Sequence, residues 1–499
     1  MIPPCINVRI ACHDKKPLIY PYGLVVTRTG QQCELGKIIF ARPIPCIITP
    51  TTDVKYVRLV SIKTKELTSN IMLVLDYGGN VDYLIYPKKV WYTIRDDYFD
   101  RLRLGDVPRE PGMLLYGPPG TGKTSMLNLL GEALGLHIVP IRPDSILSKY
   151  IGESEKKLSN KFKEAEDYEP SLVLMDDAEW ITRSRNLSGT GDESNVQLAM
   201  MNIILDRIES WGKKRRRILA GISTNASPTK VLESALLRSG RTGRPIFVPL
   251  PDYEAVLEML KVLGLPKKVG SDKTAEYAKK FINLGANMKD IRRYAEDILM
   301  GKEPMIEDIE GRGYVRPMPH RLHADELVSK LKDIIPPFVL KSRRARLYFV
   351  LPPAVGEAVA VNYSLGVGKP PVLINDERFI DEALMTAEVS RSVLIISTDD
   401  MSEKGMVLAN NISKTPIIFI GNKIPPVRHK RVIDYSQLKS KGKDLLLKVV
   451  LDYYNVKYDE KSFRDALRLH SDNFDRMLEE IPLWGYGVEL SELVKHYVY

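Results

Sequence analysis

The 499-residue chain is predicted to be α/β, with a β-rich N-terminal domain, a parallel sheet between helices followed by a helical lid, and a second, degenerate α/β module. Three observations predict this. The apolar run Met113 to Tyr116 leads through a glycine-rich turn into the helix-like stretch Ser125 to Leu134, a strand–turn–helix pattern. Two more apolar runs, Ser171 to Met175 and Ile218 to Ser223, end in polar residues, as buried parallel strands do at their C-terminal edge. After a further run, Leu347 to Val350, residues 351–358 lay over the first turn without a gap.

The first 95 residues alternate β-branched runs with proline and glycine: Leu24 to Thr27, Ile38 to Phe40, Ile47 to Ile48, Val57 to Ile62 and Ile71 to Leu75. They read as a small β-rich domain. All four cysteines lie there, at Cys5, Cys12, Cys33 and Cys46, with His13 nearby. No CxxC pair is present, which argues against a zinc site and for buried free thiols, with one or two disulfides as the alternative.

The turn reads GPPGTGKT, Gly117, Pro118, Pro119, Gly120, Thr121, Gly122, Lys123 and Thr124, with Ser125 opening the helix. Glycines let backbone N–H groups curl around an anion, and the helix N-terminus adds its positive dipole end. This is a phosphate cradle for a nucleotide, with Lys123 reaching the outer phosphates and the Thr124 hydroxyl holding Mg2+. The run ending at Met175 delivers Asp176, Asp177 and Glu179. Asp176 is expected to bind the metal through water, Asp177 to polarise the attacking water, and Glu179 to lie on the same side of an extended chain.

The third run ends at Thr224 and Asn225, and is followed by Ala235, Leu236, Leu237, Arg238, Ser239, Gly240, Arg241, Thr242, Gly243 and Arg244. From Gly112 to Asp252 the chain resembles the AAA+ ATPases, in the branch holding proteasomal ATPases, valosin-containing-protein-type unfoldases and katanin-type severing enzymes. That resemblance implies ATP and Mg2+ as cofactors, Asn225 as the sensor beside the outermost phosphate, and Arg238 and Arg241 reaching into a neighbouring subunit's site. It also implies a homohexameric ring. Ser148 to Glu155 looks like the first pore loop of the polypeptide-threading members, with Lys149, Tyr150 and Ile151 as the grip on a protein substrate. Residues 186–194 stand where a second, polar pore loop would be.

Three departures from the family pattern stand out. Asp177 replaces the glutamate of most relatives and is one methylene shorter, so hydrolysis is slowed, or Glu179 or a shifted water compensates. Trp91 to Leu104 replaces the usual lead-in to the cradle. Gly285 to Ile291, GANMKDI, keeps only the leading glycine and Asp290 with its aliphatic follower.

In the C-terminal third, residues 351–358 read LPPAVGEA. Glu357 replaces the cradle lysine, Ala358 the metal-binding hydroxyl and Ala354 a cradle glycine, so a carboxylate would face the phosphates. The run Val393 to Ile396 ends in Ser397 and Thr398 where the acidic pair would stand, and Ile417 to Ile420 is followed by Gly421 and Asn422. The expectation is a second AAA+-like module without ATPase chemistry, against an unrelated α/β domain.

The expected partition is 1–95 for the β-rich substrate or adaptor domain, 96–250 for the ATPase subdomain and 251–312 for its helical lid. A linker, 313–335, then joins the degenerate α/β subdomain, 336–435, and a lid-like helical subdomain, 436–499. No run approaches the ~20 apolar residues of a membrane span, and no signal-peptide pattern opens the chain, so a cytoplasmic protein is expected. The net charge of +10, with the runs Lys213 to Arg217 and Arg428 to Arg431, raises nucleic-acid translocation as an alternative. No helix-turn-helix, zinc-finger or stacking pattern accompanies those runs. The end, His496 to Tyr499, only loosely matches the protease-docking tail of proteasomal ATPases, since Val498 stands where tyrosine is needed. The expected function is an ATP-hydrolysing ring that remodels or threads proteins; the alternative from another class is a nucleotide-switched scaffold that hydrolyses poorly.

Overall fold

A computed structural model describes residues 3, 5, 7–12, 24–25, 31–33, 36–42, 46–58, 60–77, 80–146, 153–179, 192–225, 236–302, 309, 314–316, 323–374, 376–412, 414–422, 431–454, 456–481 and 489–497. The chain divides into two compact units, Met1–Val248 and Pro249–Tyr499.

The first unit opens with nine strands in three small sheets. β1 (Asn7–Cys12), β3 (Gln31–Cys33), β4 (Gly36–Arg42) and β6 (Asp53–Arg58) form one, in the order β3-β4-β1-β6. β2 (Leu24–Val25) pairs with β5 (Cys46–Ile47), and β7 (Ser61–Glu66), β8 (Asn70–Asp76) and β9 (Val81–Pro87) form an antiparallel meander. The apolar run Val57 to Ile62, read from sequence as one strand, is instead the end of β6 and the start of β7. Cys5 and Cys46 are joined by a disulfide, which corrects the expectation of free thiols. Their backbones are brought together by the hydrogen bond from the Cys5 N–H to the Ile47 carbonyl, 2.8 Å. The side chains of Cys12, Cys33 and His13 lie outside the described residues.

Helix Lys88–Ile94 leads to the central sheet, made of β10 (Gly112–Tyr116), β11 (His137–Ile141), β12 (Ser171–Met175), β13 (Ile218–Thr224) and β14 (Ile246–Phe247). Its order is β11-β12-β13-β10-β14, all parallel. Every residue of β10, β12 and β13 is buried, as expected for strands covered on both faces. Helix Glu153–Asp167 packs on the sheet through Leu158, Phe162 and Ala165, spaced to share one helical face. Phe162 meets Trp211 of helix Asp192–Lys213 edge to face, ring centroids 5.5 Å apart. Burying a side chain of that size stabilises the fold by about 1.5–3 kcal/mol.

The second unit begins with helices Tyr253–Val262, Leu265–Val269, Ser271–Asn283 and Met288–Leu299. The sequence GANMKDI is explained locally: Gly285, at φ 63°, ends one helix, and the Asn287 side chain caps the next by accepting from the Asp290 N–H at 2.9 Å. A six-stranded sheet follows, of β15 (Tyr314–Val315), β16 (Arg346–Val350), β17 (Pro371–Ile374), β18 (Val393–Ser397), β19 (Ile417–Gly421) and β20 (Arg431–Asp434). Its order is β15-β17-β18-β19-β16-β20, with only β15 antiparallel. Counted in chain order from the strand before each proline-containing turn, both parallel sheets run second, third, fourth, first, fifth. Residues 313–335, expected to be a linker, instead contribute β15 and the helix Ala324–Leu331. Tyr314 and Leu327 are buried, so apolar side chains recruit the segment into the domain core. Helix Pro353–Gly366 lies between the sheet and helices Tyr435–Tyr453 and Ser471–Glu480, and is buried almost throughout. The Tyr497 carbonyl accepts from Asn473 at 3.0 Å, which anchors the chain near its end. No helix among the described residues is long and apolar enough to cross a membrane.

Candidate active site

In a parallel sheet the loops at the C-terminal edges of the strands converge, and here β12, β13 and β10 are neighbours. The cradle follows β10, Asp176 to Glu179 follow β12, and Asn225 follows β13. Pairing of Met175 with Ile222 sets Asp176 beside Ser223.

Gly117 has φ 141°, and a Cβ there would lie 2.3 Å from the Val248 carbonyl oxygen, so no larger residue fits the start of the turn. Gly122, at φ 88°, caps helix Lys123–Leu134 in the left-handed region and frees the first helical N–H groups for an anion. Thr121 is buried and donates to the Pro118 carbonyl at 2.9 Å, tightening the turn, while Pro119 and Ser125 are exposed on its outer side and Gly120 is left-handed at φ 73°. The Lys123 ammonium is buried. It donates to the carbonyls of Gly117, 2.9 Å, and Pro118, 2.8 Å, and to Asn225 Oδ1, 2.9 Å. A buried cation held by three oxygens inside a glycine-lined turn suits a site built to take a polyanion.

Thr124 Oγ1 donates to Asp176 Oδ1 at 2.7 Å, and Ser223 Oγ donates to the same carboxylate oxygen. A hydroxyl and a carboxylate that share one point are hard oxygen donors of the kind Mg2+ takes. Asp177 adopts φ 46°, unusual for a residue with a side chain, and its Oδ1 accepts from Asn225 Nδ2 at 3.3 Å. Desolvation, with Asp176 and then Glu179 nearby, holds its carboxyl above the usual aspartate range. Glu179 is engaged elsewhere: its Oε1 accepts from Thr224 Oγ1, 2.9 Å, and from the Asn225 N–H. It fixes the backbone at Asn225.

Of the two candidate arginines, Arg238 is exposed, whereas Arg241 is mostly buried and bonded through Nη2 to Glu209 at 2.8 Å within its own chain. The pore-loop residues Lys149, Tyr150 and Ile151, and residues 186–191 of the second loop, lie outside the described residues. The basic run Lys213 to Arg217 is substantially compensated: Lys213 pairs with Glu209 at 2.6 Å, Arg215 with Asp106 at 3.5 Å and Arg216 with Glu169 at 3.0 Å. Of the second run, only Arg431 is described.

The matching turn of the second sheet is built differently. Helix Pro353–Gly366 starts at the position that overlays Pro119, one turn earlier than its counterpart, so the cradle's backbone is helix. The Gly356 N–H is spent on the Pro352 carbonyl at 2.8 Å. Glu357 accepts from the Tyr453 hydroxyl, and Tyr454 Oη donates to the Ala354 carbonyl at 3.1 Å. Carboxylates do stand at this sheet edge, just past Ser397 and Thr398: Asp399 Oδ2 accepts from the Asn422 N–H at 3.2 Å, and Asp400 from Ser397 Oγ at 2.6 Å.

Although Glu357 is only partly buried by surface area, packing around its carboxyl group desolvates it and raises its pKa, against the lowering effect of Tyr453. A carboxyl raised in the fold stabilises it below the unfolded pKa, about 4.3, and loses that contribution as pH rises through the folded value. Glu357→Gln is therefore expected to melt higher than wild type at pH 8 and equally at pH 4. Each kcal/mol is worth about 2–4 °C in a unit of this size. Equal melting at both pH values would show that ionisation of Glu357 costs nothing.

The fold and this cluster define a phosphate-loop nucleotide-binding module. Residues 113–250 match the family model described as ATPase family associated with various cellular activities (AAA). The 26S proteasome regulatory subunit S10B homolog B of Arabidopsis thaliana is 36% identical over 163 residues, 32% of this chain and 39% of that protein. The 26S proteasome subunit RPT4 of Saccharomyces cerevisiae is 33% identical over 197 residues, 39% of this chain and 43% of that protein. The Cell division cycle protein 48 homolog of Archaeoglobus fulgidus is 32% identical over 197 residues, 39% of this chain and 26% of that protein. The chain thus carries an AAA-family ATPase module of the proteasomal and valosin-containing-protein-like branch, and it spans less than half the length of these relatives.

Four contributors were missed in the sequence: Ser223, Glu209, Tyr86 and Tyr453. Ser223 alone had a signal, because it ends an apolar strand beside the one that delivers Asp176. The other three come from elements whose packing no local pattern announces.

Proposed function

We propose that the chain hydrolyses ATP to ADP and phosphate and uses the cycle to remodel or thread protein substrates as a homohexameric ring. The observation that carries this reading is the convergence of Lys123, Thr124, Asp176, Asp177 and Asn225 at one sheet edge, with Lys123 and Asn225 in contact at 2.9 Å. Gly117 to Ser125 bind the triphosphate, and Thr124 with Asp176 hold Mg2+, which when bound neutralises phosphate charge. Asp177 orients and polarises the attacking water from its place beside Asn225. Asn225, fixed by Glu179, aligns that water against the outermost phosphate. Arg238 is presented to the neighbouring subunit's nucleotide; Arg241, held by Glu209, supports it. Lys149, Tyr150 and Ile151 grip the polypeptide. The β-rich domain recruits substrate or an adaptor, helices 253–299 form the lid, and the second sheet is a degenerate counterpart of the first, supported by its matching strand order. A cytoplasmic setting accompanies this reading.

The left-handed, shortened Asp177 also favours a second reading, a scaffold that binds ATP to assemble and turns it over poorly. Steady-state ATPase and unfolding of a fluorescent protein bearing an unstructured tail separate the two. For the motor, wild type turns over, and Tyr150→Ala keeps ATPase within about twofold while unfolding is lost. For the scaffold, turnover emerges only in Asp177→Glu. Unfolding by Tyr150→Ala at the wild-type rate would remove the threading mechanism.

A further inference from the structure

The phosphate loop is not held by its own module alone. Tyr86, in β9 of the N-terminal meander, is 2% exposed and donates its hydroxyl to the Gly122 carbonyl at 2.7 Å. Gly122 is the residue before the cradle lysine, and the same carbonyl accepts the Met126 N–H at 2.9 Å to start the helix. The contact is tight enough that a Cβ on Gly122 would lie 2.7 Å from the Tyr86 hydroxyl. A second phenol, Tyr77 just past β8, stands beside Glu132 near the other end of the same helix. A third, the buried Tyr98 of the lead-in, donates to the Gly112 carbonyl at 3.2 Å, where β10 begins. Tyr98 thus holds the start of the strand and Tyr86 the turn, and of these phenols Tyr86 is the one beside the N–H groups expected to take phosphate.

We propose that Tyr86 is a positioning residue of the phosphate loop, through which the N-terminal meander sets the loop for nucleotide and responds when nucleotide binds. This rests on the ATPase reading above. Its physical basis is direct. A left-handed glycine has many accessible conformations, and a buried hydroxyl on its carbonyl selects the one in which the following N–H groups point into the turn. Without the hydroxyl, the loop samples other states and binding must reorder it. Tyr86 lies in the strand register opposite Ile71, so a shift of the loop is passed to β9 and β8.

The test uses the full chain with Mg·ADP and a fluorescent ATP analogue as probes, comparing wild type, Tyr86→Phe, Tyr86→Ala and Lys123→Ala. Phenylalanine keeps the ring packing and removes only the hydroxyl. Tyr86→Phe is expected to weaken nucleotide binding and raise the KM for ATP about fivefold, with kcat within about twofold and the melting temperature of the nucleotide-free chain lowered by no more than about 4 °C. Mg·ADP is expected to slow hydrogen exchange in residues 81–87 of wild type and not of Tyr86→Phe. A purely structural tyrosine would lower the melting temperature of Tyr86→Ala without moving affinity in Tyr86→Phe. If wild type binds and Tyr86→Phe binds equally well, this inference falls alone. If wild type binds no better than Lys123→Ala, the ATPase reading falls and takes this one with it.

Discussion

Arg238→Ala is expected to lower ATP turnover by about three orders of magnitude while nucleotide affinity stays within a few-fold of wild type. An arginine supplied to a transferring phosphoryl group stabilises charge that develops only in the transition state, and is worth about 10³–10⁵ in rate. The two candidates stand in different surroundings. Arg241 is committed to Glu209 at 2.8 Å and mostly buried, whereas Arg238 is exposed on the same turn. Arg241→Ala should therefore cost less turnover and more stability. Mixing gives the sharper test. Arg238→Ala subunits keep an intact cradle and Lys123→Ala subunits keep the arginine, so a mixture of two inactive proteins should regain ATPase. Turnover of Arg238→Ala within tenfold of wild type would overturn the shared site.

Lys123→Ala should bind nucleotide at least about a hundredfold more weakly and show no turnover. The ammonium is buried and satisfies the Gly117 and Pro118 carbonyls and Asn225 together, so its loss removes the phosphate partner and leaves three acceptors without their donor. A photoreactive ATP analogue should label wild type at the first cradle only and this variant nowhere. Labelling within residues 351–358 would show that the second turn, despite its helical backbone and the Glu357–Tyr453 contact, still takes nucleotide.

Local sequence carried much of this. The glycine-rich turn is legible because a backbone that wraps phosphate needs left-handed residues at fixed positions, and Gly117, Gly120 and Gly122 occupy them. The central strands are legible because burial on both faces demands unbroken apolar runs. The repeated turn also pointed to a second sheet, and strands β16 to β20 form one with the same order of parallel strands. Other features were misread for a definite reason. Val57 to Ile62 looks like one strand because Val57 near the end of β6 and Ile62 near the start of β7 are both apolar in sequence. Residues 313–335 look like a linker because their core contacts are made with distant parts of the chain.

The sequence by itself determined which groups are available: a glycine-rich turn, a hydroxyl and a carboxylate expected to take a metal, a shortened Asp177 and a pair of candidate arginines. Only the tertiary structure decided how those groups are held: Glu179 on the Asn225 backbone, Glu209 on Arg241, Tyr86 on Gly122 and Tyr453 on Glu357. The physical reason is range. Turn geometry and strand burial are set by neighbours along the chain, whereas a hydrogen bond between residues tens of positions apart depends on sheet order and packing, which no short stretch of sequence encodes.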